Sequence, residues 1–411
     1  MLHVAVIGAG AAGTAAAWTL ARAGAEVVIF NARSGATALY SGALDAGAWE
    51  RADPRESIDP ELVVFGAALS AWSVGAGPCR VATASGLVRT TRGMDSALLN
   101  LELVAGGRVG VADVAREDWD GVLLAKACGS SSWAKKTKTE FQPLPLRILH
   151  STVERRIPAH DFAQLFDDPA RSAELAAALN SAARGYQGLL LGPWLGTLPE
   201  VCERVRQDVE LAIGETTSAP GGAAGARFEH ARDRLLAELG IERQSAEVLR
   251  LEPRFSGWTV YYRAPALAAA AGPAETREMD AVVLCIGGLA GGGVRLATAL
   301  GDERRSRPLG LSLDVPVQFQ LDGKIYDGSS SLYGPDFSSA GVLALERLGI
   351  AAQGVRALGQ PGLFLAGDVI ADRPRTALEA AGSGIAAGRA ILKQAERISQ
   401  LPRARADYPA R

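Results

Sequence analysis

The hydrophobic pattern at the start of the chain is a short apolar run, a glycine-rich turn, an alanine-rich stretch and a second apolar run. Residues 2–7 are largely β-branched and apolar, as expected for a strand buried on both faces of a parallel sheet. Residues 14–23 have the composition of a helix that Gly24 ends, and residues 26–30 form the second apolar strand. The pattern predicts a strand–turn–helix–strand unit of about thirty residues.

Further along the chain, the pattern predicts both helices and strands. Helical spacing of apolar residues recurs at residues 59–72, 94–104, 159–182, 198–213 and 227–240. We expect strands and a loop within 106–124, an antiparallel pair at 246–251 and 256–263, buried strands at 281–286 and 362–366, and a helix at 377–394. Residues 216–225 are too rich in Gly and Pro for an ordered element.

These elements predict an α/β protein in which one nucleotide-binding domain is split by an insertion. We expect residues 1–110 and 275–411 to form the split domain, and residues 111–274 to form an inserted α+β middle domain. A length of 411 residues is too great for one ordinary hydrophobic core and fits two domains.

Composition narrows the class of function. A chain that is 48% hydrophobic and 21% charged is globular, and its net charge of −2 offers no general attraction to nucleic acid or anionic lipid. The four cysteines form no CxxC pair and the four histidines form no HExxH motif, so we expect no metal, iron–sulfur cluster or disulfide framework. This cysteine usage fits the cytoplasm. The apolar residues 4–21 are interpreted as a buried strand and helix, rather than as a signal peptide or membrane span, because glycines cluster there and Arg22 ends the run.

The turn after the first strand has the spacing GxGxxG, at Gly8, Gly10 and Gly13. Gly8 permits the tight turn, Gly10 lets the backbone approach a pyrophosphate, and Gly13 lets the helix pack closely on the strand. The helix N-terminus then presents N–H groups and the positive end of its dipole to the phosphates. The turn therefore predicts dinucleotide binding, and a tight turn without a ligand is the alternative.

The second strand lacks the acidic residue that usually follows it in dinucleotide-binding domains. Asn31 stands at the position where a carboxylate would bind the ribose hydroxyls, and Arg33 is either a phosphate contact or a solvated side chain. The small, polar residues 34–45 that come next suit a loop pressed against a flat ring system, or an ordinary connection.

Several segments together resemble a known family. Five segments occur in the order typical of the fumarate reductase/succinate dehydrogenase-type FAD-binding family. They are the glycine turn, the loop SGATALYSGALD at 34–45, the strand VLCIGG at 283–288, Gly367-Asp368 and residues 382–384. Within it, the chain is most similar to the B-type subunits of anaerobic glycerol-3-phosphate dehydrogenases. This closer resemblance rests on residues 41–45 and 87–91, on Pro220, Gly225 and Arg227, and on residues 287–293 followed by 308–311.

The resemblance implies a Rossmann-like, glutathione reductase-type FAD-binding domain. It implies that Thr37, Ser41 and Gly42 contact the flavin or its phosphates, that Gly367 and Asp368 lie at the ribityl chain, and that a helix start near 382–384 faces the pyrimidine edge of the ring. FMN is the alternative cofactor, because Asn31 alters the adenosine end. The candidate cofactor-binding residues are Gly8, Gly10, Ala12, Gly13, Asn31, Ala32, Arg33, Thr37, Ser41, Gly42, Gly287, Gly367, Asp368, Gly382, Ser383 and Gly384.

Candidate catalytic residues are few. Arg227 follows a glycine-rich loop and opens a predicted helix, where it would grip a phosphate or carboxylate; a surface arginine is the alternative. Arg89 and Arg92 are weaker candidates of the same kind. The histidines match no dicarboxylate-binding pattern, and the sequence assigns no general base.

The resemblance implies a flavin-dependent dehydrogenase component that takes electrons from a hydroxyl-bearing substrate, or from a partner's flavin, toward a quinone pathway. Its expected partners are a flavoprotein subunit, an iron–sulfur subunit and a small-molecule substrate, and any membrane contact would be made through them. Two alternatives stay open: a stand-alone FAD-dependent oxidoreductase acting on a small organic substrate, and a non-catalytic scaffold subunit.

Overall fold

The computed structural model describes residues 1–45, 58–265, 273–296, 309–326 and 347–400. Pro308, at the start of the 308–311 element of the resemblance, lies outside the described residues. The described strands, in chain order, are β1 (His3–Ile7), β2 (Glu26–Phe30), β3 (Ala43–Leu44), β4 (Trp72–Ala82), β5 (Val88–Asp95), β6 (Arg108–Asp113), β7 (Glu140–Pro145), β8 (Gly188–Leu191), β9 (Ala212–Glu215), β10 (Glu242–Gln244), β11 (Glu247–Arg254), β12 (Gly257–Arg263), β13 (Glu275–Met279), β14 (Ala281–Leu284), β15 (Val294–Leu296), β16 (Leu309–Leu311), β17 (Phe319–Leu321), β18 (Lys324–Tyr326), β19 (Gly349–Ile350), β20 (Ala352–Gln353), β21 (Arg356–Ala357) and β22 (Leu363–Leu365).

The described α-helices are α1 (Ala11–Arg22), α2 (Pro60–Leu69), α3 (Gly121–Ser130), α4 (Ser132–Thr137), α5 (Ala159–Leu165), α6 (Pro169–Ala182), α7 (Pro199–Asp208), α8 (Ala223–Glu238) and α9 (Ala377–Gln400). Their starts follow local sequence signals. At α2 and α6, for example, Asp59 and Asp168 accept a hydrogen bond from a backbone N–H of the first turn, and a proline follows each aspartate.

The chain divides into two compact units. The first unit comprises Met1–Ala32, Ile241–Arg373 and the chain from Ser383, and the second comprises Arg33–Gly240 and Pro374–Gly382. The first unit is therefore split in sequence, as the pattern predicted.

A seven-stranded sheet organises the first unit, in the order β10-β2-β1-β14-β22-β21-β20. The first five strands pair in parallel, and β21 and β20 add an antiparallel edge. After their first residue, β1 and β2 are buried throughout, as the apolar runs predicted. The unit is a mixed α/β, Rossmann-type domain, which confirms the predicted fold class.

An antiparallel meander, β11-β12-β13, leads into β14. Its first two strands confirm the antiparallel pair predicted at 246–251 and 256–263. Trp258 and Tyr262 of β12 share a hydrophobic core with the sheet residues Phe30 and Leu284. This core joins the meander to the Rossmann sheet, so both belong to the first unit.

The second unit contains a four-stranded, all-parallel sheet in the order β7-β6-β8-β9 and a three-stranded antiparallel sheet in the order β3-β5-β4. Parallel neighbours need crossover connections, which α3 to α7 supply between the four strands. Buried side chains of α5, α6 and α7 form one core with the parallel sheet, which includes Phe162, Trp194 and Ile213.

The domain boundaries differ from those expected from the sequence. Residues 33–110 group with the second unit because β3, β4 and β5 form a sheet there, whereas residues 241–274 group with the first unit because β10 and the meander pack on the Rossmann sheet. The sequence placed both boundaries at changes of composition, whereas the contacts follow strand pairing.

Three local predictions are corrected as well. Residues 94–104 are not a helix: β5 ends at Asp95, and only Leu101–Val104 form a short 3₁₀ turn. The predicted helix at 198–213 ends at Asp208, and a strand follows it. Residues 216–225 are ordered, because the N–H groups of residues 216–218 bond to Leu191, Ala82 and Ser41. No described helix is both long and apolar enough to span a membrane.

Candidate functional site

Three glycines follow neighbouring strands of the Rossmann sheet. Gly8, Gly287 and Gly367 come just after β1, β14 and β22, which are adjacent and parallel, so their carboxyl ends meet at one edge of the sheet. All three glycines have positive φ, at +109°, +77° and +77°, which side chains other than glycine rarely adopt. Backbone therefore lines this edge where side chains would otherwise stand, and ligands of open α/β sheets bind at such edges.

Close packing requires the first and third glycines of the turn. A Cβ atom at Gly8 would lie 2.3 Å from the Cys285 carbonyl oxygen, and one at Gly13 would lie 1.9 Å from the Gly8 carbonyl oxygen. Both distances are far below a normal contact, so the turn and the start of α1 keep their shape only with glycine. The predicted structural roles of Gly8 and Gly13 are therefore confirmed by the packing.

Gly10 is different. It is the N-cap residue of α1 with φ −72° and ψ −171°, an extended conformation open to any L-residue. As a glycine, residue 10 has no side chain that could cap α1, and Ala12 lies buried in the first turn of the helix. This backbone conformation does not by itself require a glycine at position 10, whereas a ligand that approaches the backbone closely would.

The Gly367 turn is held by the C-terminal helix. The Gly367 N–H donates a buried hydrogen bond of 2.8 Å to the Ser383 hydroxyl oxygen. A Cβ at Gly288 would lie 2.9 Å from the Asp368 carbonyl oxygen, so the turn after β14 packs directly on the turn after β22. Gly367, Asp368 and Ser383 thus lie together with the turn at Gly287 and Gly288, and their shared role at a cofactor stays a prediction.

Helix α9 begins where the sequence pattern predicted, and earlier than the resemblance implied. It starts at Ala377, where the Glu379 N–H donates to the Thr376 hydroxyl, so residues 382–384 lie inside the helix and their N–H groups belong to its ladder. A Cβ at Gly384 would lie 2.2 Å from the Ala12 carbonyl oxygen. Gly384 therefore serves close packing of α9 on α1. The start predicted for the helix at 377–394 is confirmed, and the helix start near 382–384 that the resemblance implied is wrong.

Asn31 lies at the same edge of the sheet. Its N–H donates to the Gln244 carbonyl of β10 at 3.1 Å, and the preceding Phe30 carbonyl accepts from Gly8 at 2.8 Å. Asn31 is half-buried, and Ala32 and Arg33 are exposed. The residue that replaces the expected acid is thus beside the glycine turn, in the position that the sequence assigned to it.

The remaining predicted contacts, Thr37, Ser41 and Gly42, lie in the second unit. Thr37 is in a short 3₁₀ turn, Ala36–Leu39, and Gly42 has φ +95°. Gly382 also falls in this unit, where a Cβ would meet only Leu62 at 3.5 Å.

Arg227 is buried completely and pairs with two carboxylates of the chain itself. Its Nε atom lies 2.9 Å from Asp95, its Nη2 atom lies 2.6 Å from Glu215, and its Nη1 atom donates to the Gly196 carbonyl at 2.6 Å. Asp95, Glu215 and Arg227 are each 0% exposed. The sequence predicted that Arg227 binds a phosphate or carboxylate of a ligand, and this prediction is wrong. The carboxylates that Arg227 binds belong to the protein, and its guanidinium is fully buried.

Burial and the charges within this cluster shift the pKa values of its members. Burial raises the pKa of Glu215 to about 7, although Arg227 and the Leu195 N–H oppose the rise. Burial works against the charge of Arg227, but the Asp95 and Glu215 carboxylates outweigh it and raise the pKa of the guanidinium. Burial, followed by the Asp95 carboxylate, raises the pKa of Tyr40, whose hydroxyl donates to Asp95 at 2.7 Å.

The weaker arginine candidates also face the protein. Arg89 forms an ion pair with Asp45, and Arg92 is 4% exposed. All four cysteines are buried and free, and burial raises the pKa of Cys128 and Cys202 to about 12. Within the described part of the chain, no cluster of three His, Cys, Asp or Glu side chains has the arrangement of a metal site.

Comparison with known proteins supports the assignment of the N-terminal segment. Residues 2–87 match the family described as pyridine nucleotide-disulphide oxidoreductase. This match covers the glycine turn and the loop that follows β2, and it supports a flavin-dependent oxidoreductase domain there. No curated protein matches the chain.

Solved structures resemble the chain only distantly. A flavoprotein/dehydrogenase from Cytophaga hutchinsonii is 10% identical with a TM-score of 0.37, covering 96% of this chain and 79% of that one. Thioredoxin reductase of T. acidophilum is 14% identical with a TM-score of 0.23, covering 96% and 98%. AlpK is 13% identical with a TM-score of 0.33, and the match covers 93% of this chain but 59% of AlpK. At these TM-scores, none of the likenesses carries a conclusion about function.

Proposed function

We propose that the chain binds FAD at the glycine-lined edge of the first unit and works as a flavin-dependent oxidoreductase. The observation that carries the proposal is the edge itself: Gly8, Gly287 and Gly367, all with positive φ, follow three adjacent parallel strands, and α1 begins shortly after the Gly8 turn. A pyrophosphate at the N-terminus of α1 accounts for a glycine at position 10, where the extended backbone does not by itself require one. The family match of residues 2–87 supports the same cofactor class.

The residues at this edge fit an extended dinucleotide. The N-terminus of α1 would hold the pyrophosphate, and Asn31 would offer one uncharged hydrogen bond to the ribose in place of a carboxylate. The Gly287 and Gly367 turns follow neighbouring strands at this edge, with the half-buried Asp368 beside them, and we propose that the rest of the cofactor lies against them. Thr37, Ser41 and Gly42 are proposed contacts of the flavin end, on the resemblance alone.

When bound, a flavin supplies two-electron chemistry, by accepting a hydride equivalent from a reduced substrate. The protein's own part is to bind, to orient and to set the local charge. The dipole of α1 favours the negative phosphates, and the buried core beneath the edge excludes water from one side. The candidate arginines pair with carboxylates of the protein or are buried, and no general base for the substrate is assigned.

At a finer level, we propose a component of a larger complex, similar to the B-type subunits of anaerobic glycerol-3-phosphate dehydrogenases, with a partner flavoprotein and an iron–sulfur protein. This rests on the sequence segments that carry the resemblance. A stand-alone oxidoreductase is the second candidate. Reduction of the bound flavin by glycerol 3-phosphate only when partner proteins are added would support the role in a complex, and turnover of a small substrate by the chain alone would refute it.

A glycine substitution tests the cofactor site. We expect Gly10→Ala to weaken FAD binding by at least about tenfold, since one methyl group would meet the pyrophosphate, and the thermal midpoint of the flavin-free variant shows whether the fold is kept. The matched control is Gly129→Ala in α3, where a Cβ meets nothing within 4 Å. Titration with FAD and with FMN in parallel separates a dinucleotide from a mononucleotide site. Equal FAD affinity of Gly10→Ala and the wild type would contradict the proposal.

A further inference from the structure

The buried cluster of Asp95, Glu215 and Arg227 is connected to residues 36–42 of the second unit, called the 36–42 segment below. The hydroxyl of Tyr40 donates to the Asp95 Oδ2 atom at 2.7 Å and accepts from the indole N–H of Trp72 at 3.2 Å. The Asp95 carboxylate also accepts from Arg227, so the segment is joined to a fully buried charge pair through one side-chain hydroxyl.

The backbone of the segment is fixed on both sides of Tyr40. The Asp95 N–H donates to the Gly42 carbonyl at 2.6 Å, and the Ser218 N–H donates to the Ser41 carbonyl at 2.9 Å. On the other side, a Cβ at Gly225 would lie 2.0 Å from the Ala38 carbonyl oxygen, so α8 packs directly on the 3₁₀ turn. The anchors come from strand, loop and helix.

Aromatic packing holds the ring of Tyr40 as well. Its centroid lies 6.2 Å from Trp72 and 6.4 Å from Phe228, and Trp72 stacks on Phe228 at 5.5 Å. Because the segment has only four residues of regular 3₁₀ structure, these side-chain and backbone anchors define its conformation.

We propose that Asp95, Arg227 and Tyr40 are positioning residues that hold the 36–42 segment in its flavin-binding conformation before the flavin binds. This inference rests on the proposed function, because the flavin contacts of Thr37, Ser41 and Gly42 are part of it. Arg227 neutralises Asp95 inside the protein, Asp95 orients the Tyr40 hydroxyl, and the ordered segment binds its ligand without a further loss of conformational freedom. A buried ion pair often adds little to the stability of a protein. In this cluster, its role would be to fix the 36–42 segment in one conformation.

Tyr40→Phe is the most specific test, because it removes one hydroxyl and keeps the aromatic ring. The matched control is Tyr261→Phe, which removes a phenol that donates to the Glu252 carboxylate at 2.6 Å in the meander of the first unit. Each protein is prepared without flavin, and hydrogen–deuterium exchange is followed in the peptide that covers the 36–42 segment. FAD affinity, the absorption spectrum of bound flavin and the thermal midpoint are then measured.

We expect the segment to be protected in the flavin-free wild type and in Tyr261→Phe, and to exchange faster in Tyr40→Phe while α8 stays protected. FAD binding of Tyr40→Phe should weaken at least about tenfold, with a changed spectrum of the bound flavin. Rapid exchange of the segment in the flavin-free wild type would overturn the inference, as would unchanged exchange and affinity in Tyr40→Phe.

A second variant tests the inference in case the Tyr40→Phe protein does not fold. Trp72→Phe removes the indole donor to the Tyr40 hydroxyl and also reduces the ring that stacks on Phe228, and we expect exchange to increase in the same segment. No increase there would overturn the inference. Because exchange is measured without flavin, it reports on positioning even if the wild type binds no FAD. A protected segment without FAD binding would refute the proposed function and leave the anchoring itself supported.

Discussion

Replacing Glu215 by glutamine tests the charge balance of the buried cluster. Glu215 is fully buried beside Arg227 and Asp95, and Cys202 and Tyr40 are the other titratable groups nearby. Burial raises its pKa to about 7 from an ordinary value of 4.5. A carboxyl group whose pKa is higher in the folded state binds its proton more tightly there, so its contribution to stability is present below pH 4.5 and is lost as the pH rises toward 7.

The size of the effect follows from the two pKa values. At about 1.4 kcal/mol per pH unit, the difference corresponds to roughly 3 kcal/mol of unfolding free energy, lost between these two values and constant above them. Glutamine does not titrate but has a similar shape. The Glu215→Gln variant should therefore lack this loss and gain stability relative to the wild type as the pH rises.

Urea unfolding at about pH 5 and about pH 8 measures the difference, with the unfolding free energy taken from linear extrapolation. The control is Glu238→Gln on α8, where the carboxylate is 63% exposed and the pH dependence should match the wild type. Parallel pH dependence of the wild type and Glu215→Gln would refute the reasoning, because it would mean that Arg227 keeps Glu215 ionised over the whole range.

Three further predictions concern packing and burial. Arg227→Met leaves two buried carboxylates without a cation and should lower the unfolding free energy by about 3–5 kcal/mol. The control Arg234→Met replaces an arginine on the same helix that is 44% exposed, and it should change the unfolding free energy little. Similar losses in the two variants would contradict the buried pairing. Gly384→Ala places a Cβ 2.2 Å from the Ala12 carbonyl and should lower the thermal midpoint by several degrees, unlike Gly129→Ala; an unchanged midpoint would contradict the close packing of α9 on α1. The four cysteines are buried, so the native protein should react slowly with a thiol reagent and the unfolded protein quickly; rapid labelling of native protein would contradict their burial.

The parts of the fold that follow local rules were predictable from the sequence. The strand–turn–helix–strand start appears within three residues of its predicted bounds, because apolar runs and glycines act over short distances. The steric roles of Gly8 and Gly13 follow from the same rules. The antiparallel pair at β11 and β12 was visible as alternation along two adjacent segments.

The parts that depend on distant contacts were not predictable. Residues 97–101 have apolar residues at helical spacing, but the Asp95 carboxylate binds the Ala97 N–H and the Asp95 N–H binds Gly42, so the chain turns there instead. Arg227 looks like an exposed residue of an amphipathic helix, whereas its partner Asp95 is 132 residues away in the chain. No local pattern marks Asp95, Glu215 or Tyr40 as members of one cluster.

The glycine-lined edge of the Rossmann sheet is where we propose that FAD binds. The most direct measurement is the absorption spectrum of the purified full chain, after incubation with FAD and removal of free flavin, followed by release and chromatography of the bound chromophore. We predict flavin absorption bands and FAD as the released species, with less FAD retained by Gly10→Ala. A colourless protein, or one that retains FMN and not FAD, would contradict the claim.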